Sequence, residues 1–412
     1  MTTLTSLQPH SARRSAAAPR SLACADCPPL ITRGTLVLLA LMGVGAAFGL
    51  YRFIFGLAAT TNLDQQYPWG IWIVADVSFI ALAAGGFTMA AITHVFHREH
   101  FHALARPVLV FAMLGYTCAC IALFADLGKY YNIWHPLLPW MWQGNSALFE
   151  VGMCVMCYLT VLYIEFVPVF CERFMGDAAR PRLARACTRV HGIAEKIMPV
   201  FIVLGVGISC LHQSSLGHVM VLTPTKLHPL WYTPVLSLMF LVSAIAAGFP
   251  TAIVVSLVSS WALKRRPDMA MLGSLARYAT VLVAVYAAFK LGDMVIRESW
   301  VYLFEGTRDT WFFWLEIVAG LVVPLALLTR AQTRRSPRRL GIACGLVMFG
   351  IVLNRANVYI IGYHPPYTDK MYHPSLTEWA VTIGAIAALL FIWRAIVTYF
   401  PVLGPEERRH FA

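Results

Sequence analysis

Ten apolar runs, each about 20 residues or longer, occupy most of this chain and leave only short connections between them. They lie at about 34–58, 69–96, 106–126, 143–170, 196–222, 231–263, 272–297, 311–330, 339–362 and 379–402. A helix rising 1.5 Å per residue crosses the roughly 30 Å hydrocarbon core in about 20 residues, so each run is a candidate transmembrane helix. The fold class is therefore all-α integral membrane, with about ten transmembrane helices. Charged residues make up 13% of the chain and hydrophobic ones 59%, whereas a soluble domain has about 25% charged residues.

Ten crossings leave both termini on one face, and the basic residues choose which. Arg33, Arg98, Arg106, Arg180, Arg182, Arg265, Arg334, Arg338 and Arg408 fall on the side of the termini with many others. The opposite face carries Lys129, Lys226, Arg308 and Lys370. That asymmetry predicts a multi-pass protein of N-in, C-in topology, with both termini in the cytoplasm. It also accounts for the formal charge of +12; the charge is spread through short loops, which speaks against a nucleic acid partner and for membrane lipid. The domain reading is a disordered cytoplasmic tail over residues 1–32, a ten-helix domain over 33–404 and a short cytoplasmic tail over 405–412. Arg13-Arg14 has no apolar segment close behind it that would make an export signal. Cys24-x-x-Cys27 is half a thiolate site with no second half nearby. Most of the ten cysteines lie inside spans and act as small hydrophobes.

Asp126 to Pro168 joins two spans through an aromatic loop and carries Glu150 below the surface of the second. Counted by helical rise from the non-cytoplasmic side, Asp76 and Glu150 come out at about 10 Å and Tyr116 and His212 at about 15 Å. Four polar groups from consecutive helices thus share one layer. An ionisable group in hydrocarbon is costly, so the layer is a functional-site candidate; the bland alternative is a set of hydrogen-bonded groups that hold helices together. Lys290, Asp293 and Arg297 form a second set on one face of the seventh span. They read as a self-neutralising stripe, with Arg52, Arg355 and Glu316 as candidate partners. In the inner half, Glu165 lies on the fourth span, and His94, His97, His100 and His102 gather where the second span ends.

The outer ends of the spans carry Tyr67-Pro68-Trp69, Trp134 to Trp142, Trp231-Tyr232 and Trp311 to Trp314, an interface belt that could also wall a ligand entrance. Gly43, Gly45 and Gly49, and Ala83 to Gly86, read as close helix packing. No phosphate-binding glycine loop is present. Haem can be tested by counting: within spans only His212 and His218 occur, six residues apart on one helix and facing different ways, so a bis-histidine site is not expected. No cysteine set suits an iron–sulfur cluster, and no metal site is expected.

YPWGIWIVADV, RPVLVFAMLGY, DLGKYYN, NSALFEVGMCV, EFVPVFCER, HQSSLGHVMVLTPTKLHPLW and LNRANVYIIG together resemble the HybB-type membrane subunit of periplasmic NiFe uptake hydrogenases, within the wider NrfD/polysulfide reductase group of integral membrane subunits. HQSSLG and NSALFE are the most specific of these strings. The resemblance covers nearly the whole chain from about Thr32. It implies NrfD-like paired four-helix bundles plus two C-terminal helices, and a subunit free of haem and iron–sulfur clusters, not catalytic toward hydrogen by itself. Such a subunit exchanges electrons with a quinone (menaquinone or ubiquinone) near the periplasmic face. Its implied partners are a periplasmic ferredoxin-like iron–sulfur subunit and the hydrogenase large and small subunits. By motif match, Glu150, His212, Asp76 and Tyr116 are the reacting positions, with Tyr116, His212, Trp69 and His135 as quinone contacts and Glu150, Glu165 and Arg106 as a proton path. The quinone is expected between the second to fifth spans. Relatives can carry an acid in the inner half of the sixth span; here Gly248 to Ser256 has none, leaving Pro250 to kink it and Thr251 or Ser256 to substitute. The same role for a formate dehydrogenase or multihaem cytochrome is an alternative. A secondary transporter is another, although no inverted repeat accompanies Pro224, Pro234 and Pro250.

Overall fold

The computed structural model describes residues 29–403 apart from His97 and Asp369, so the two terminal tails, with Arg13-Arg14 and Cys24-x-x-Cys27, lie outside the described residues. Among the described residues, ten helices are long and apolar enough to cross a membrane. These are α1 (Arg33–Phe55), α2 (Ile71–Thr93), α3 (His102–Asp126), α4 (Ala147–Phe174), α5 (Pro181–Val221), α6 (Leu236–Ala262), α7 (Met269–Ile296), α8 (Arg308–Thr329), α9 (Pro337–Ile361) and α10 (Leu376–Tyr399). They correspond one for one with the ten apolar runs, and the chain is a multi-pass membrane protein. Side-chain caps start several of them. Thr32 and Thr35 close a capping box on α1, Ser146 caps α4, Asp268 caps α7, and Ser375 with Glu378 caps α10.

The fifth helix departs from expectation. Its apolar run begins near 196, but α5 starts at Pro181 and continues for 41 residues, about 60 Å. Nothing between Pro181 and Lys196 breaks a helix except by being polar. Hydropathy marks only the part inside the membrane, whereas the helix extends beyond it with Arg182, Arg185 and Arg189 along its length.

Two four-helix bundles stand back to back. The first closes through α2 with α3, α3 with α4, α4 with α5 and α5 with α2; the second closes in the same way through α6, α7, α8 and α9. They meet along α2 with α6, α5 with α6 and α2 with α9. In their most apolar stretches α2 and α6 are 67% and 72% buried against 11% for α1, so these two form the axis of the molecule. The resemblance implied two supernumerary helices at the C-terminal end. Instead one comes from each end: α1 pairs with α10, and the pair leans on α3. The pairing depends on bare backbone, since a Cβ on Gly45 would lie 2.7 Å from the Cα of Gly384. In the second bundle, Gly320 of α8 meets Gly350 of α9 as closely, with an added Cβ only 2.3 Å from the opposing Cα.

The aromatic belt divides. Trp134, Trp140 and Trp142 are exposed at the outer surface as expected. Trp231 is not part of it, because its side chain is buried and its indole N–H donates to Glu316.

Candidate functional site: a buried polar layer in the first bundle

The string HQSSLG in α5 shows how the layer is built, because nearly every residue has a separate task. Gln213 Nε2 donates to the Ile80 carbonyl at 2.8 Å and so fixes α5 against α2. Ser215 Oγ lies 2.5 Å from Glu150 Oε1, tying α5 to the first turn of α4, and 2.9 Å from the Leu211 carbonyl. The Leu216 carbonyl accepts from Tyr359 of α9 at 2.9 Å. Gly217 admits the start of α6, since a Cβ there would sit 2.7 Å from the Leu236 carbonyl. His212 is left to point into the bundle, fully buried, with neither ring nitrogen hydrogen-bonded among the described residues.

Around His212 the interior holds more polar atoms without partners. The Tyr116 ring lies 5.6 Å from the His212 ring and 4.6 Å, edge-on, from that of Tyr158. Ser209, one turn before His212, lies beside both phenols without a well-formed hydrogen bond to either. Asp76 is buried within electrostatic reach of Tyr116, and its Oδ1 has no partner among the described residues. Each orphaned buried donor or acceptor costs about 1–3 kcal/mol, so such a cluster implies a guest or waters that complete it. The layer expected from helical rise thus forms from Asp76, Tyr116 and His212. Glu150 differs from them: it is half-buried at the rim, joined through Ser215. Tyr158, Ser209 and Gln213 escape a reading by depth alone, although Ser209 three residues before His212 is a readable same-face signal.

Below the layer, Tyr158 leads toward Glu165 on the same helix. Glu165 rests against bare backbone at Gly205, where a Cβ would lie 3.1 Å from its Oε1. It lines a cavity of about 380 Å³ at the inner end with Arg106, Glu172, His191, Glu195 and His102. Arg106 grips Glu172 in a fork, at 2.8 and 2.7 Å, and donates to the Pro401 carbonyl at 3.0 Å. Glu165 and Arg106 therefore share one cavity with room for several waters, whereas Glu150 lies at the opposite end of α4.

The second bundle holds its charges in another way. Lys290 is clamped on Glu316, whose carboxylate also accepts from Asn354 at 2.9 Å, Asn357 at 2.7 Å and Trp231 at 2.9 Å. Arg355 lies over the Phe240 ring at 3.7 Å and donates to Asn354 and Ser243, both at 2.8 Å. Asp293 binds Arg297 and Thr233, again both at 2.8 Å. Of the three expected partners of this stripe, Glu316 and Arg355 join it and Arg52 does not. Arg52 instead donates to the Ala125 and Leu127 carbonyls at 2.6 and 2.5 Å, neutralising the C-terminal end of α3. Wide π turns follow Glu316 at Val318–Val322 and begin at Asn357, aiming the carboxylate and the amide at each other.

Trp69 packs on Tyr359 and Tyr363 at 5.6 and 6.0 Å, and His135 lies edge-on to Trp134 at 4.4 Å in the loop above α4. A mainly apolar hollow of about 720 Å³ is on the far side of α2, between α2 and α8 to α10. The expected place for a hollow is among α2 to α5. The hollow lies outside the first bundle because α9 packs on α6 and α8 while α10 packs on α1 and α3, so that α9 and α10 diverge. On the outer surface, His228 Nδ1 accepts from the Leu230 N–H at 3.2 Å and its ring faces His364 at 5.9 Å, which contacts Asp309 at 3.2 Å. Burial holds the His228 imidazole below its ordinary value, outweighing Asp309. Burial and then Glu378 raise the Tyr372 phenol, keeping it a donor to that carboxylate.

The family model for polysulphide reductase, NrfD, matches residues 59–365. A protein of Nitratidesulfovibrio vulgaris is 32% identical over 387 residues, covering 91% of this chain and 95% of its own. The probable Ni/Fe-hydrogenase 2 b-type cytochrome subunit of Escherichia coli (strain K12) is 28% identical over 392 residues, 93% of this chain and 95% of its own. The menaquinone reductase integral membrane subunit of N. vulgaris is 25% identical over 393 residues, 87% and 89%. The second of these names raises haem. The residues present do not fit a bis-histidine haem: His212 faces the Tyr116 ring, and His218, on the same helix, is exposed.

Proposed function

The chain belongs to the polysulphide reductase NrfD family, and from that premise we propose that it is the quinone-reacting membrane subunit of a multi-subunit oxidoreductase in a bacterial cytoplasmic membrane. Electrons arrive from an iron–sulfur partner docked on the face poor in Lys and Arg. A ferredoxin-like subunit with the large and small subunits of a NiFe hydrogenase is the partner set favoured by the shared motifs. This chain supplies no hydrogen-splitting chemistry. It supplies a place where a quinone head can be hydrogen-bonded, reduced by two electrons and given two protons, or the reverse.

The observation carrying this reading is the set of buried, unpartnered groups on Tyr116, His212, Ser209 and Asp76. A quinone carbonyl accepts from a phenol or imidazole N–H, so its two oxygens complete donors that are otherwise unsatisfied in a dry interior. Glu150, in contact with Ser215 and half-open to the rim, exchanges protons with the bound head. Asp76 orients the adjacent phenol or passes a proton. Glu165 and the cavity with Arg106 give water a place to enter from the other side, so protons drawn that way would couple turnover to the membrane potential. The quinone approaches from lipid near Trp69; His135, in the surface loop, marks the outer margin.

The test uses membranes containing the intact complex. Tyr116→Phe and His212→Leu are expected to leave the partner's dye-linked activity in place while quinone-linked electron flow collapses. Undiminished quinone reduction in both variants would remove the layer from the mechanism. Co-purification tells a hydrogenase from a formate dehydrogenase or multihaem cytochrome, and an absorption spectrum without a Soret band is expected for the chain.

A further inference from the structure

We propose that the hollow outside the first bundle is a binding groove for one anionic phospholipid of the outer leaflet, a site separate from the quinone layer. Its origin lies in the fold. α9 packs on α6, α8 and α2, whereas α10 packs on α1 and α3, so two successive helices diverge and leave a groove floored by α2. The space is about 720 Å³, within the 300–1,000 Å³ of ligand-sized pockets. On α10 its wall runs from Trp379 to Leu390, about 16 Å of helical rise and close to the depth of one leaflet.

The polar groups sit where a phospholipid would need them. The lower part, with Leu82, Phe111 and Leu390, is hydrocarbon; Arg308 and His373 are at the outer rim. Arg308 is one of only four basic residues that sequence assigns to this face. Its guanidinium touches Met371 Sδ at 2.7 Å and lies 5.8 Å from the Phe312 ring centroid, and it is in no ion pair among the described residues. The neighbouring carboxylate, Asp309, is engaged by His364. A cation at the mouth of an acyl-sized groove complements a phosphate at the surface. Ser78 lines the floor in the upper part, and its buried Oγ has no partner among the described residues. A quinone head is the poorer fit, because the deep part of the groove, at Leu82, Phe111 and Leu390, is apolar and offers it no paired donors.

Native mass spectrometry of the purified membrane complex, released from nanodiscs of phosphatidylglycerol or of phosphatidylcholine, tests this. One phosphatidylglycerol is expected to stay on the wild-type chain and phosphatidylcholine is not. Arg308→Gln should lower its retention about fivefold, the worth of one basic group at an anionic surface. Ala75→Trp should fill the groove and expel the lipid; if that variant does not fold, Arg308→Gln decides. Equal retention of both lipids, retention unaffected by Arg308→Gln, no retained lipid, or a retained quinone in its place would each overturn the proposal. Because the readout is bound lipid rather than turnover, it fails or succeeds independently of the quinone reading.

Discussion

The two bundles solve the same problem, polar groups inside a membrane, in opposite ways. The second bundle contains more charge, yet most of it is matched: Glu316 receives Lys290, Asn354, Asn357 and Trp231, Asp293 receives Arg297 and Thr233, and only Arg355 Nε and Asn357 Oδ1 of that network have no partner among the described residues. The first bundle has weaker polar groups in its buried layer, and several of these have no partner among the described residues: Tyr116, Ser209, both nitrogens of His212 and Oδ1 of Asp76. Charge in hydrocarbon is thus a poor guide to chemistry by itself. A completed network rigidifies, while an incomplete one waits for something to complete it.

The strongest way to break this contrast is to remove the centre of the matched network. Glu316→Leu leaves the Lys290 ammonium buried without its counter-charge and frees three hydrogen-bond donors. Breaking a buried pair in this way costs about 3–5 kcal/mol, so the variant should be recovered in low yield and melt well below wild type. Glu316→Leu with Lys290→Met should recover much of the loss. If Glu316→Leu melts with the wild type, the second bundle is not held together by its matched charges.

The open layer should respond in the opposite sense. Tyr116→Phe and His212→Leu each remove an unsatisfied group, so thermal stability should hold or rise slightly. Quinone-linked turnover should fall about 10²-fold, the usual worth of a positioned proton donor. A variant that lost stability and activity together would show the layer to be scaffold like the other bundle.

How much of this could be read from sequence follows from the kind of periodicity each feature leaves. Ten spans were legible because hydrophobic runs measure membrane thickness directly, and the layer of Asp76, Tyr116 and His212 was legible because helical rise converts position into depth. Depth does not give azimuth. It could not say that Arg52 turns toward the end of α3, that Trp231 points inward to Glu316, or that α1 and α10 are the helices outside the bundles. Those facts depend on which faces meet, and a single residue such as Gly45 opposite Gly384 decides that across more than three hundred positions. The part of α5 before Lys196 was missed for the converse reason, since a helix outside lipid has no hydrophobic run to announce it.

Glu150 is the residue on which the contrast can be sharpened most finely, because it belongs to the open bundle and yet has a partner. Ser215→Ala removes the hydroxyl at 2.5 Å from its carboxylate without touching Tyr116 or His212. Turnover with quinone should drop about tenfold, less than for the layer itself, because the carboxylate is kept and only its placement is loosened. Glu150→Gln should lose more than Ser215→Ala in the same membranes. Equal, full activity in both would leave proton delivery to the Glu165 side alone.

The smallest effect belongs to the outer rim of the matched bundle. His228 joins two loops, donating its own backbone N–H to the Gly362 carbonyl at 2.8 Å while its Nδ1 accepts from Leu230 at 3.2 Å. Asp309 and Glu305 favour its charged form, His364 and burial oppose it, and burial dominates. The folded state therefore binds a proton less readily than the unfolded chain, whose imidazole titrates near ~6.5. Stability from this contact is complete above that value and is lost as pH falls below it toward the depressed folded value, because a protonated Nδ1 no longer accepts. The site is only half-buried, so the loss should be about 1–2 °C in melting temperature between pH 7.5 and 5.5. His228→Asn, which keeps an acceptor but cannot titrate, should flatten that dependence. If the acid-induced loss persists unchanged in His228→Asn, then it originates in some other titrating group, and the rim of the second bundle is no more pH-sensitive than its core.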